Sequence, residues 1–286
     1  MIQDATCEDT YFQVLEFEEN RGKVAVLNDV LKHVNTDLVA LSDVSSLVSV
    51  DALLIASRHF SNSRVGVVNS SYSYLNASSS ESRYWDYQTK IKSYESSVGS
   101  TLGAHGAFYL FRKSLFRPLP KNVINDDFYL PMDIVKQGFK AVHEPKIHAI
   151  EMENSSRSND FYRRLRISAG NMQQLLYLKS LLLPRHGSVA FLFASGKGLR
   201  VLMPYLMIIG FINTAVLVEL PFFYLALCGQ IAIYAIALFN HLFPWLFSHK
   251  YCTAIRYLVV GHVANFIGGM RYLLGFESGQ WKKLRQ

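Results

Sequence analysis

Short apolar runs and helically spaced apolar residues alternate along the first two thirds of the chain. Leu38–Leu41 and Val65–Val68 are brief apolar runs typical of buried strands, whereas Lys23–Val34 has the spacing of a helix. The pattern also predicts strands at Phe12–Phe17, Gly106–Phe111 and from Ala141, helices at Val50–Phe60, Tyr84–Ser97, Phe128–Gln137 and Arg163–Leu183, and a polar loop at Asn69–Ser82. This alternation predicts an α/β fold with a largely parallel sheet.

From about Gly198 the chain is almost continuously apolar. Val201–Leu220 and Phe222–Phe239 are long enough, or nearly so, to cross a bilayer as helices, and Tyr257–Phe276 is a third apolar stretch. Two spans with the third helix in the interface keep the Lys/Arg clusters on one side, as the positive-inside rule prefers. We therefore expect a catalytic-type domain at residues 1–183, an interfacial helix at 184–200, and an all-α transmembrane region at 201–286.

Charge is divided unequally along the chain. Residues 1–156 hold 15 Lys/Arg and 19 Asp/Glu, whereas residues 157–286 hold 14 and 3. Because the positive charge flanks apolar segments, it fits anionic membrane lipids better than nucleic acid, for which no basic helix or stacking motif is present. The three cysteines (Cys7, Cys228, Cys252) have no metal-binding spacing, and their small number suits a domain in a reducing compartment.

Two acidic positions are candidates for chemistry. Asp43 directly follows a predicted strand, where a carboxylate either holds a divalent cation or caps a turn. Asp126 and Asp127 precede a predicted helix, where acids favour the positive end of the helix dipole. The alternative is that one of them is a general base.

Basic residues and one histidine form a second group of candidates. Arg163 and Arg166 begin a predicted helix, where they could bind a diphosphate or anionic lipid. Lys23 begins another helix, beside free backbone N–H groups that could meet a phosphate. His105 lies between two glycine-containing segments and either lines a cleft or occupies a turn.

The order of these motifs resembles that of the membrane-bound family 2 glycosyltransferases, the group that includes cellulose, chitin and hyaluronan synthases. The series, which runs from about Phe12 to Gly170, is RGKxxxLN at Arg21–Asn28, LSDVS at Leu41–Ser45, GAHGA at Gly103–Ala107, DDFxL at Asp126–Leu130 and RxxRxxxG at Arg163–Gly170. The resemblance implies a GT-A fold and inverting, Mg²⁺- or Mn²⁺-dependent transfer from a nucleotide-sugar, with UDP-sugars favoured.

Carried over by position, the resemblance assigns roles to individual residues. Asp43 would be the first acid of the metal-binding DxD motif, with Ser45 in place of the second. Asp127 would be the catalytic base, with Asp126 beside it. Lys23 would contact the donor, and the segment from Arg163 to Arg166 would lie near the diphosphate and the acceptor.

Three departures from the family pattern bear on function. Ser45 replaces an acid, and the QxxRW element of the processive synthases reads RRLRI at Arg163–Ile167, which argues against synthesis of a long polymer. The strand, acidic turn and second strand with which the family begins have no counterpart before Phe12, so we expect an incomplete nucleotide-binding sheet.

The leading hypothesis is a multi-pass enzyme of the cell (inner) membrane. Its catalytic domain would face the cytoplasm and transfer sugar to a polysaccharide or lipid-linked acceptor. The alternatives are an inactive fragment or degenerate subunit of a glycan-synthesis complex, and a small transporter or channel component.

Overall fold

The structure is a computed structural model that describes residues 13–77, 79–152, 160–247 and 249–277. In the part that precedes the apolar region, strands and helices alternate. The strands are β1 Leu38–Ser42, β2 Ser46–Val48, β3 Val65–Tyr74, β4 Phe108–Arg112 and β5 Lys140–Glu151. The helices are α1 Lys23–His33, α2 Ala52–His59, α3 Ser79–Val98, α4 Asp126–Lys136 and α5 Asp160–Tyr177.

The five strands form one mixed sheet in the order β1-β4-β3-β5-β2. The β3–β5 pair is parallel, and the β1–β4, β3–β4 and β2–β5 pairs are antiparallel. The α/β class is therefore confirmed, but the prediction of a largely parallel sheet was wrong. Apolar runs reveal burial on both faces of a sheet, and they do not reveal the direction of the neighbouring strand.

Alternate side chains of the central strands point into two cores, one on each face of the sheet. Val67, Tyr109 and Phe111 pack with α1 and α4 on one face, whereas Val68 and Leu110 pack with α2 on the other. Tyr109, Phe111, Val67 and Val68 are all at most 1% exposed. The sheet is thus the middle layer of three, and its strand ends are held rigidly.

Strand β3 extends through six polar or aromatic residues that were predicted to begin a loop. Asn69, Ser70 and Ser71 are buried, and the fold tolerates this because each of these polar side chains has a hydrogen-bonding partner. Asn69 Nδ2 donates to Thr101 Oγ1 (2.6 Å) and to the Gly103 carbonyl (3.0 Å), and Ser70 Oγ donates to the Phe108 carbonyl (2.7 Å). The loop prediction at Asn69–Ser82 was therefore wrong for residues 69–74 and again from Ser79, where α3 begins.

The predicted strand at Phe12–Phe17 is also wrong in its described part. Phe12 lies outside the described residues, and residues 13–17 form neither strand nor helix. Their apolar side chains remain on the surface, since Val14, Leu15 and Phe17 are 40% or more exposed. The alternating pattern is present, but in the described part of the chain residues 13–17 pair with no other strand, and a strand needs such a partner to be stable.

In the described part of the apolar region, every element of regular secondary structure is a helix. After short 3₁₀ turns, α6 Ser188–Phe193, a π-helical turn Ala194–Gly198 and α7 Leu199–Val216 form one continuous helical run, followed by α8 Pro221–Leu242 and α9 Lys250–Leu273. In the described residues, two helical segments, Ser188–Val216 and Pro221–Leu242, are long and apolar enough to cross a membrane.

Helix α9 packs tightly against α5, the last helix of the sheet domain. Gly268 provides the close approach, because a Cβ atom at this position would lie 2.4 Å from the Leu165 carbonyl oxygen and 2.6 Å from Ser168 Cβ. Asn265 Nδ2 also donates to the Arg200 carbonyl (2.6 Å) at the start of α7. These contacts fix the first part of α7 relative to the sheet domain.

Candidate active site

The end of strand β1 and the start of helix α1 meet at one ion pair. The Asp43 N–H donates to the Ala107 carbonyl (3.1 Å), which holds the residue at the strand end. Lys23 Nζ donates to Asp43 Oδ1 (3.1 Å). Gly22, which precedes Lys23, has φ 79°, a conformation that glycine adopts without the strain of a Cβ atom. Two of the predicted site residues are therefore neighbours.

The first turn of helix α4 brings two further carboxylates to the same place. Asp126 Oδ2 is 3.4 Å from Lys23 Nζ, at ion-pair distance but without hydrogen-bond geometry, and Asp126 is 9% exposed. A Cβ atom at Gly106 would lie 3.4 Å from Oδ2 of both Asp43 and Asp127. Those two oxygens are therefore at most about 7 Å apart, and both border a space that the glycine leaves open.

The charges and the burial of this cluster shift the pKa values of Asp127 and Lys23. Burial, and then the charge of Asp126, raise the pKa of Asp127 to about 6, against a smaller opposing effect of Lys23 and Lys197. Burial lowers the pKa of Lys23, but the charges of Asp126 and Asp43 outweigh that effect and raise it. Lys23 therefore stays positive and compensates carboxylates that would otherwise repel one another, and Asp127 has the pKa of a general base suited to neutral pH.

Helix α5 holds the turn that carries Asp126 and Asp127. Gln173 accepts from the Ile124 N–H (2.9 Å) and donates to the Asn122 carbonyl (2.7 Å). Arg166 Nη2 reaches the Ile124 carbonyl at 3.4 Å, and the charges of Asp126 and Asp127 stabilise its guanidinium against burial. Gly170 allows the close approach of Asn125, since a Cβ atom would lie 2.4 Å from Asn125 Nδ2. The motif at Arg163–Gly170 thus supports the acidic turn through contacts with Ile124 and Asn125, the two residues that precede Asp126.

The remaining predicted site residues lie around this cluster. His105 is partly buried and stacks on Tyr72 (centroids 5.4 Å apart), with Trp85 edge-on at 5.6 Å. Burial, and then the charge of Lys92, lower the pKa of His105 to about 3, so it is neutral. Arg163 is exposed and acts electrostatically on Tyr72, away from Asp127. The Ser45 carbonyl accepts from the Met152 N–H (3.0 Å).

Two lysines that the sequence analysis did not select also face this region. Lys92 Nζ donates to the Leu102 carbonyl (2.6 Å) and reaches the Gly103 carbonyl (3.4 Å). Lys197 Nζ donates to Asn171 Oδ1 (2.9 Å) and lies 3.9 Å from the centroid of the Phe128 ring. For Lys197, the sequence did contain one indication of a functional role. The lysine stands between two glycines in the ASGKG segment, at the start of a long apolar run, where a charge is costly.

The donor set fits a divalent cation bound together with a diphosphate. Among the described residues there is no group of three or more His, Cys, Asp or Glu that could enclose a metal ion. Mg²⁺ and Mn²⁺ sites in nucleotide enzymes need one or two carboxylates, with phosphate oxygens and water as the other ligands. Asp43, which is partly exposed and lies beside the open space at Gly106, is a carboxylate of this kind.

Comparison with known proteins finds similarity among solved structures. No protein-family model matches the chain, and no curated protein matches it. Among solved structures, the chain is similar to the mannosyltransferase PcManGT from Pyrobaculum calidifontis in complex with GDP-Man and Mn²⁺. The TM-score is 0.63 at 18% sequence identity, and the match covers 93% of this chain and 70% of that one.

The match gives the fold of the molecule. The chain has a glycosyltransferase fold, and because the match covers 93% of it, most of the helical region belongs to the similarity as well. The particular structure that it resembles holds a nucleotide-sugar and Mn²⁺.

Proposed function

We propose that this protein is a metal-dependent, inverting glycosyltransferase that acts at a membrane. The observation that carries the proposal is the convergence of Lys23, Asp43, Asp126 and Asp127, which come from three separate segments of the chain, around the open space at Gly106. A structural core would not gather three carboxylates around one lysine, because their mutual repulsion is destabilising. Binding of a divalent cation, which the donor diphosphate would also coordinate, compensates for that repulsion.

The donor is a nucleotide-sugar whose diphosphate binds between Asp43 and the basic residues. Asp43 would hold the Mg²⁺ or Mn²⁺ ion, which when bound offsets the charge of the departing diphosphate. Arg166 adds positive charge at the acidic turn, and Lys23 keeps Asp43 and Asp126 in place. Sequence resemblance favours a UDP-sugar, whereas the similar structure holds GDP-Man, so both nucleotides belong in the first assay.

Asp127 is the general base. Its carboxylate faces the open space at Gly106, and its raised pKa lets it accept a proton near neutral pH. It takes the proton of the attacking O–H group of the acceptor while that oxygen approaches the anomeric carbon from the side opposite to the diphosphate. One base and one direct displacement invert the configuration at that carbon.

Two long apolar helices support a location of this reaction at a bilayer surface. The Ser188–Val216 run and Pro221–Leu242 are the proposed spans, and α9 lies against α5 at the interface. The positive-inside rule then puts the sheet domain in the cytoplasm, where nucleotide-sugars are available. The acceptor is accordingly a membrane-associated molecule, either a glycan or a lipid-linked species.

A donor-turnover assay tests this function. The detergent-purified chain is incubated with UDP- or GDP-sugars, Mn²⁺ and extracted membrane lipids, and the released nucleoside diphosphate is measured. We expect release by the wild-type protein and a 10²- to 10⁴-fold loss in Asp127→Asn. Asp133→Asn is the matched control, since Asp133 lies on the same helix and interacts with Gln137.

The outcomes separate the two main hypotheses. Retained release in Asp127→Asn would contradict the assignment of the base. Absence of release with every donor, in a chain that nevertheless binds nucleotide and Mn²⁺, would favour a non-catalytic subunit of a glycan-synthesis complex.

A further inference from the structure

A short irregular segment links the residues that carry two of the site carboxylates. Residues 101–107, which we call the spacer loop, form neither helix nor strand and lie between α3 and β4. The Ala104 N–H donates to the backbone carbonyl of Asp127 (2.9 Å). Three residues later, the Ala107 carbonyl accepts from the N–H of Asp43 (3.1 Å). The open space that both carboxylates border lies beside the loop between these two hydrogen bonds.

Helix α3 holds the spacer loop from one side. Lys92 Nζ donates to the Leu102 carbonyl (2.6 Å) and reaches the Gly103 carbonyl (3.4 Å). One turn further along the helix, the Glu95 carboxylate accepts from the Leu102 N–H (2.9 Å). The two side chains thus bind both backbone polar groups of Leu102, which fixes the orientation of the chain at this residue as well as its position.

The sheet and helix α4 hold the loop from the other side. Asn69 Nδ2 donates to Thr101 Oγ1 (2.6 Å) and to the Gly103 carbonyl (3.0 Å), while the Thr101 N–H donates to the Ala141 carbonyl (2.9 Å). The Gly103 N–H points to the sulfur of Met132 (3.2 Å). The loop is therefore clamped between layers of the fold, and the charged side chains among these contacts both come from α3.

The use of a lysine in this clamp has a cost that its hydrogen bonds offset. Burial lowers the pKa of Lys92, and the charges of Glu95 and Asp127 oppose that effect. A charged group that is removed from water is destabilising unless it is paired or hydrogen-bonded, and the two carbonyl groups of the loop supply that compensation. An apolar side chain would avoid this cost, but it would remove a hydrogen-bond donor from both carbonyl groups.

We propose that Lys92 and Glu95 are positioning residues, which act through the spacer loop to fix the separation of Asp43 from Asp127. This inference rests on the proposed transfer function and adds two residues to its machinery. Neither side chain has to touch the substrate, because each acts through the backbone of the loop. A displacement of about 1 Å at a reacting group can lower a rate by about a hundredfold, so a loosened loop should slow the reaction more than it weakens donor binding.

Kinetics and amide hydrogen exchange of Lys92→Met test this role. Methionine has a similar unbranched side chain but no N–H donor. With the full chain in detergent, we expect kcat for nucleoside diphosphate release to fall about 10- to 100-fold, with the donor KM within about threefold of wild type. Peptides that cover residues 39–45 and 101–107 should exchange about tenfold faster, because the amides of Asp43 and Ala104 would open more often.

Variants on the same helix serve as controls. Lys90 is exposed, so Lys90→Met should leave turnover and exchange unchanged. Glu95→Gln keeps an oxygen acceptor for the Leu102 N–H and should retain most of the turnover. Glu95→Met removes that acceptor and should lower kcat about tenfold, the scale of one lost charged hydrogen bond. The two Glu95 variants also decide the question if Lys92→Met does not fold.

The possible outcomes separate positioning from other roles of Lys92. A donor KM that rises at unchanged kcat would overturn the proposal, because the lysine would then belong to the donor site. A lower melting temperature with unchanged kcat and unchanged exchange would also overturn it, since the role would be stability alone. If wild type releases no nucleotide from any donor, the transfer function fails and exchange decides the role of the lysine. Faster exchange in both peptides would then support its action on the loop, and unchanged exchange would overturn it.

Discussion

The region around Asp127 has an acidic side and a basic side, which differ in how they are built. On the acidic side, Lys23 compensates Asp43 and Asp126 through direct ion pairs, and the residues come from strand ends and helix starts of the sheet domain. On the basic side, Lys92 and Lys197 lie against carbonyl groups, an amide and an aromatic ring. The acidic side has three carboxylates for one lysine and so favours binding of a cation. On the basic side, neutral groups hold the two lysines in place, and burial lowers the pKa of both.

The largest expected effect comes from filling the space on the acidic side. Gly106→Ala would place a methyl group 3.4 Å from the oxygens of both Asp43 and Asp127, an ordinary contact distance that the fold tolerates. We expect donor turnover to fall by about a hundredfold, because a cation and diphosphate would compete with the methyl group, and displacement of this size commonly has that cost. Gly229→Ala, in open space on α8, is the control. Full activity of Gly106→Ala would show that the reaction takes place elsewhere.

A second substitution tests the packing of α9 on α5, the helix that supports the acidic side. Gly268→Ala would force a Cβ atom to within 2.4 Å of the Leu165 carbonyl oxygen, so α9 has to move away from α5. We expect a loss of stability of about 1–3 kcal/mol, the usual range for overpacking a close contact.

The control for that substitution lies on the same helix. Gly261→Ala meets nothing within 4 Å and should be neutral or stabilise the helix by up to about 1 kcal/mol. Thermal unfolding in detergent measures both variants. Equal melting temperatures for the two would contradict the close packing of α9 on α5.

The smallest expected effect is on the pH dependence of stability, because Asp127 is buried and its ionisation destabilises the folded protein. The folded-state pKa of Asp127, about 6, is above the ordinary value of 3.8, so the folded protein holds this proton more strongly than the unfolded chain. Stability should therefore fall as the pH rises from about 4 to 6, and Asp127→Asn should be more stable than wild type at pH 7.5 by at most about 3 kcal/mol. Melting curves at pH 4 and 7.5 test this, and a variant that is less stable at pH 7.5 would contradict the burial of a like-charged pair.

The sequence predicted the acidic side better than the basic side. Lys23, Asp43, Asp126 and Asp127 stand at the ends of elements that periodicity locates, for example the helix expected at Lys23–Val34 and found at Lys23–His33. Lys92 and Lys197 are single lysines in the middle of helical segments, and their convergence depends on tertiary packing that no local pattern contains. The same limitation explains the sheet, whose strands β1, β3 and β4 were located while their antiparallel pairing was not.

The thermal stability of the purified chain with and without nucleoside diphosphate plus Mn²⁺ tests the central claim most directly. A ligand that binds only the folded protein, at 100 times its dissociation constant, stabilises it by about 2.7 kcal/mol. We expect UDP or GDP to raise the melting temperature only when Mn²⁺ is present, and Asp43→Asn to abolish the rise. No rise with either nucleotide, or a rise that persists unchanged in Asp43→Asn, would contradict the assignment of the acidic cluster as the donor site.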